Sequence, residues 1–133
     1  MAIPSLPVSP VENRLLAALP EAELKRLLPN MELVSLTLGQ VIYESGGHMA
    51  HVYFPTDSII SLLYLMENGT TAEIGVTGYE GMVGIALFMG GDTTPNRAVV
   101  QSAGSAYMMK AKALQAEFFL GGVFQQLLLR YTQ

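Results

Sequence analysis

The chain has 133 residues, half of them apolar, no cysteine and a net charge of −4, with a pI near 5.0. It is long enough for one domain with a sizeable core and too short for two of ordinary size. The acidic balance excludes DNA or anionic-membrane binding through this chain's own charge, which needs clustered Lys and Arg; the lack of cysteine excludes thiolate clusters, Cys-based zinc sites and disulfides.

Residues 1–9 carry Pro4 and Pro7 and no basic segment followed by an apolar stretch of signal-peptide length, so they read as a flexible lead-in. No run reaches the roughly 18 apolar residues that span a bilayer, and no membrane partner is expected. Ser9, Pro10 and Glu12 supply an N-cap, a first-turn proline and a capping-box acid ahead of Leu15, Leu16 and Leu19, predicting a helix from about Pro10 to Leu19. A second helix is expected from Pro20 to Pro29, with Glu21 and Glu23 at its N-terminal end and Lys25 and Arg26 at its C-terminal end.

From Met31 the pattern alternates through Leu33, Leu36 and Leu38, with Val34 irregular. Further strands are predicted over Gln40 to Tyr43, His51 to Phe54 and Ser58 to Met66, then Arg97 to Ser102 and Ser105 to Lys110 across Ala103-Gly104. Asn68-Gly69 predicts a type I′ turn joining strands that end near Glu67 and restart near Thr70. Short strands at this spacing favour a barrel or sandwich. Helix returns with Leu114 and Phe118, breaks at Gly121-Gly122 and resumes with Phe124, Leu127, Leu128 and Tyr131 at i, i+3, i+4 and i+7. That stripe runs to the end of the chain without a capping glycine. It reads either as the start, over 123–133, of a dimerisation helix packing on a twin, or as closure of the domain's own core.

Arg97 is the only Lys or Arg between Arg26 and Lys110, and it follows the glycine-punctuated run Gly81 to Gly91. A guanidinium beside a glycine-rich backbone can receive a phosphate or carboxylate; the alternative is a solvated Arg97, or one paired with a nearby acid such as Asp92. His48, His51 and Glu44 could in principle hold a divalent metal, but a turn running into a strand puts an i, i+3 pair on opposite faces, so no metal site is expected. No nucleophile elbow and no paired carboxylates are legible, which argues against an enzyme.

Two short helices, a β region with a late arginine and a closing helix resemble the N-terminal effector domain of Crp/Fnr-type transcription regulators. The residues that carry the resemblance are Leu36 to Gly46, His51-Val52-Tyr53-Phe54-Pro55 and Tyr79-Glu80-Gly81-Met82-Val83-Gly84. It covers about Asn13 to Tyr131 and implies one mainly β domain over 1–133: a double-stranded β-helix, or jelly roll, of the cyclic-nucleotide-binding-like type with flanking α-helices. It also implies a cytoplasmic, non-catalytic sensor. In relatives that bind cyclic nucleotides, a phosphate-binding cassette reads Gly-Glu-(Leu/Ala), a spacer, then Arg-(Ser/Thr/Ala)-Ala. By that resemblance Gly84, Ile85, Ala86, Arg97 and Ala98 would line a pocket for a small anionic effector such as a cyclic nucleotide. Ile85 stands where a carboxylate would accept the ribose 2′-hydroxyl; its loss would cost about 1–3 kcal/mol on binding and argues against tight cyclic AMP binding. Asp57 stands where the family usually carries glycine, a change that the tolerance of Asp for left-handed geometry would accommodate. The resemblance further implies a homodimer through Phe124, Leu127, Leu128 and Tyr131, and DNA contact only through a helix-turn-helix domain that this chain does not contain. The alternative function is a ligand-free dimerisation module whose pocket is filled by its own Ile85 and Met89.

Overall fold

The computed structural model describes residues 9–44, 50–84 and 96–131. Ser9 caps a single 3-10 turn, Pro10–Glu12, and α1 is confined to Arg14–Ala17. The single predicted helix is split because Asn13 takes an extended conformation and becomes a second N-cap, its Oδ1 accepting from the N–H groups of Leu15 and Leu16. Helix α2 spans Glu21–Leu27 and runs into a 3-10 turn, Leu28–Asn30, that contains Pro29.

Among the described residues seven strands follow: β1 Met31–Leu36, β2 Val41–Tyr43, β3 His51–Pro55, β4 Ile59–Leu65, β5 Thr71–Thr77, β6 Asn96–Ser102 and β7 Gly104–Lys110. They form two antiparallel sheets, ordered β1-β7-β3 and β2-β6-β4-β5. Val83 adds an isolated bridge to Tyr53 at the edge of the first. Helices α3, Ala111–Phe118, and α4, Val123–Tyr131, close the described chain. The architecture is a jelly-roll-like β-sandwich with flanking helices, as the resemblance implies.

Strand alternation divides the core into two layers. On β3 and β7, Val52, Phe54, Tyr107 and Met109 turn toward the helices, where they meet Leu16, Leu27, Leu114 and Leu128. Their neighbours Tyr53 and Ala106 turn to the other side and meet Ile60, Ala98 and Val100 of the second sheet. The first sheet is therefore covered on both faces. The outer face of the second carries Val41, Ile59 and Val76, each more than a third exposed.

The β4–β5 hairpin differs from the predicted type I′ turn. No described residue other than glycine has positive φ, so Asn68 does not take the left-handed conformation that such a turn requires, and only Gly69 does, at φ 87°. Asn68 uses its Oδ1 instead, accepting from the N–H and the hydroxyl of Thr70. Asp57 is also free of left-handed strain. Its carboxylate accepts from the Ser105 N–H, which ties the β3–β4 turn to the start of β7.

Candidate functional site

At the end of the sandwich where β3 begins, Gly84 passes so close to β3 that a Cβ there would lie 2.9 Å from Val52 Cγ1, and its φ of +104° is one that side-chain-bearing residues rarely adopt. Gly84 thus has two independent reasons to be glycine. The same end receives the starts of β1 and β3 and the end of β7, because Met31 pairs with Met109 and His51 with Lys110.

Two residues before Gly84, the backbone of Met82 meets the last described residue of α4. The Tyr131 hydroxyl accepts from the Met82 N–H at 3.3 Å and donates to its carbonyl at 3.4 Å. A methyl group on Gly81 would overlap that hydroxyl. The base of α4 is anchored as well. Glu23 Oε1 accepts from the Val123 N–H at 2.9 Å, a carboxylate cap on the positive end of the helix. A methyl on Gly122 would overlap the same oxygen. Arg26 bonds Glu117 Oε1 through Nε at 3.2 Å and Nη2 at 2.8 Å, joining α2 to α3, and the Glu117 hydrogen bond holds the Arg26 guanidinium more firmly protonated than usual. Both ends of α4 are therefore fixed by polar contacts, one of them on the segment that leads to Gly84.

Asn13 ties the same segment to the end of β3. Its Nδ2 donates to the carbonyls of Pro55 and Gly81, each at 2.8 Å, and the residue is fully buried. Burial raises the Tyr53 phenol above its ordinary pKa.

Arg97 lies on the outer face of the second sheet. It stands directly opposite Leu63, whereas the adjacent Ala98 stands opposite Leu62. Ala98 and Leu62 belong to the core between the sheets, so alternation turns Arg97 away from that core. Its Nε bonds Glu44 Oε1 at 2.9 Å, with side chains 39% and 62% exposed. The cyclic nucleotide-binding domain model matches residues 33–119, a span that takes in β2 to β7 and most of β1. The chain belongs to the cyclic nucleotide-binding domain family.

Solved structures of low sequence identity share the fold of this cyclic nucleotide-binding domain. The N-terminal domain of a transcriptional regulator from Streptomyces coelicolor A3(2) superposes with a TM-score of 0.71 at 18% identity, covering 92% of this chain and 86% of that one. The sensor domain of the transcriptional regulator DNR from Pseudomonas aeruginosa gives 0.73 at 19%, covering 89% and 79%. A variant regulatory subunit of a cAMP-independent protein kinase A from Trypanosoma brucei, bound to cyclic AMP in its A site, gives 0.79 at 15%, covering 93% and 44%. No curated protein matches the chain in sequence.

Three of the five expected pocket residues lie within the described chain. Gly84 and Ala98 lie at the interior, Arg97 is on the opposite face of its strand, and Ile85 and Ala86 lie outside the described residues. The acid that holds Arg97 is Glu44; Asp92 lies outside the described residues, as do Met89 and His48. The stripe expected to meet a twin packs on the domain's own core: Phe124 and Leu128 are 2% and 1% exposed, and Leu127 and Tyr131 rest against the same cluster. The helical period predicted the stripe but not which body it would cover. Sequence reasoning missed Asn13, Glu23 and Tyr131 as polar ties. The signal for the last two lay in glycines, since Gly81 and Gly122 each leave room for a specific oxygen.

Among the described residues, no helix is long and apolar enough to cross a membrane.

Proposed function

We propose that the chain is the effector-sensing domain of a Crp/Fnr-type transcription regulator, a non-catalytic module that works in the cytoplasm. The observation that carries the reading is the Tyr131 hydroxyl on the Met82 backbone. A ligand that shifts the segment around Gly84 changes the seat of Tyr131 and so favours one placement of α4 over another. DNA contact falls to a helix-turn-helix domain distinct from this one. A homodimer formed through α4 uses its exposed side, where Gln126, Leu129 and Arg130 lie, because the opposite side is already in the core.

The effector is a small anion, with a cyclic nucleotide as the first class to test. Arg97 joins its site only by releasing Glu44, and an exposed pair of this kind holds by no more than about 1 kcal/mol. The Arg97–Glu44 pair also favours the second reading, a ligand-free dimerisation module, since the guanidinium already has a carboxylate. Thermal unfolding with cyclic AMP, cyclic GMP, 2-oxoglutarate and haem, on the natural chain and on Arg97→Ala, separates the two. A ligand at a hundred times its Kd stabilises by about 2.7 kcal/mol. The sensor reading expects one member of the panel to raise the midpoint; a loss of that rise in Arg97→Ala would mean that the guanidinium turns inward on binding. A flat panel favours the ligand-free module.

A further inference from the structure

Two hollows adjoin at the end of the first sheet. The larger, about 390 Å3, is lined by Ala50, His51, Lys110, Ala111 and Lys112. The smaller, about 230 Å3, shares His51 and Lys110 and adds Glu32 and Met108 of the same sheet face. His51 and Lys110 stand directly opposite each other on β3 and β7, so the wall between the hollows is a fixed cross-strand pair.

Charge distinguishes the larger hollow. Lys110 and Lys112 are two of the three lysines in a chain of net charge −4. Lys25, Arg26 and Arg97 each have a carboxylate partner. Among the described residues neither Lys110 nor Lys112 has one, and no acid lines the larger hollow; Glu32 borders only the smaller. Lys110, Lys112 and His51 therefore line, together with Ala50 and Ala111, a concavity that no acid borders among the described residues.

We propose that this hollow binds the phosphate group of a small phosphomonoester. Two lysines held one residue apart across the end of β7 match the double negative charge of that group, which lysine recognises as a point charge. The volume lies within the range of small-molecule sites and exceeds what a bare phosphate fills, leaving the alanine walls to the uncharged remainder of the ligand. The site is independent of Arg97, which lies on the second sheet, and it binds whether or not α4 responds.

The test is an amide-resolved NMR titration of the 133-residue chain with glycerol 3-phosphate and with inorganic phosphate, each against chloride at equal ionic strength. The expected result is a saturable shift at Ala50, His51 and Lys110 to Lys112 that chloride does not reproduce. Affinity should be at least about tenfold weaker in Lys110→Gln/Lys112→Gln, as expected for the loss of charge-assisted contacts, and unchanged in Arg97→Gln. Both lysines are exposed, and unchanged shifts elsewhere in the double variant verify its fold. Shifts that grow without saturating, that chloride reproduces, or that survive the double variant but vanish in Arg97→Gln overturn the site. Binding of glycerol 3-phosphate no tighter than inorganic phosphate overturns the assignment to an ester.

Discussion

Asn13→Ala is expected to lower folding stability by about 3–5 kcal/mol, the largest effect of any single polar substitution in the described chain. The side chain is fully buried and does two things at once. Its oxygen caps α1 at the N–H groups of Leu15 and Leu16, and loss of such a cap costs about 1 kcal/mol. Its amide nitrogen satisfies the carbonyls of Pro55 and Gly81. Each buried acceptor left without a donor costs about 1–2 kcal/mol, at the lower end of the usual range because a carbonyl oxygen keeps a second lone pair. For a domain of this size the sum corresponds to a fall in Tm of about 10–15 °C, readable by calorimetry or circular dichroism. Asn13→Ser, which can restore the cap but not the two carbonyl bonds, should recover only about 1 kcal/mol. A drop of less than about 3 °C in Asn13→Ala would show that the two carbonyls do not depend on this amide.

Gly104→Ala should be the most damaging of the conservative glycine changes whose neighbour is backbone. A Cβ there would lie 2.7 Å from both the carbonyl carbon and the oxygen of Asp57, and 2.8 Å from its Oδ1. The Asp57 turn cannot move aside freely. Thr56 Oγ1 and Ser58 Oγ each donate to the Ser105 carbonyl at 2.9 Å, and the Thr56 N–H donates to it at 3.1 Å. Forcing a methyl into that contact costs about 2–3 kcal/mol. Gly75→Ala is the control. Nothing lies within 4 Å of a Cβ at Gly75 and its φ is ordinary, so it should lie within about 0.5 kcal/mol of the natural chain or slightly above it. Equal urea midpoints for the two variants would contradict the close packing of β7 on the β3–β4 turn.

Most of the sandwich was legible because its signals are local. Apolar alternation and turn signals placed the start of every described strand to within about two residues, and prolines and glycines marked the breaks. All but one of the failures share one physical cause: each depended on a partner distant in sequence. Asn13 reads as an interior residue of a short helix until Pro55 and Gly81 are beside it. The α4 stripe has the same period whether it meets a twin or its own β3 and β7. Arg97 and Ala98 look like one motif in the sequence, yet adjacent strand residues face opposite ways, and the register with Leu62 and Leu63 decides which of them enters the core. For Asn68-Gly69, a side-chain bond to Thr70 replaced the backbone geometry that the dipeptide favours.

We infer that α4 and the segment leading to Gly84 are one mechanical unit joined at Tyr131. Amide hydrogen exchange of the natural chain and of Tyr131→Phe tests it most directly, because the substitution removes only the hydroxyl. Loss of a hydrogen bond worth about 1 kcal/mol should speed exchange at the Met82 amide roughly five- to tenfold, with faster exchange also in the last turn of α4. Unchanged protection at both places would contradict the claim, and with it the route by which an effector near Gly84 reaches the helix.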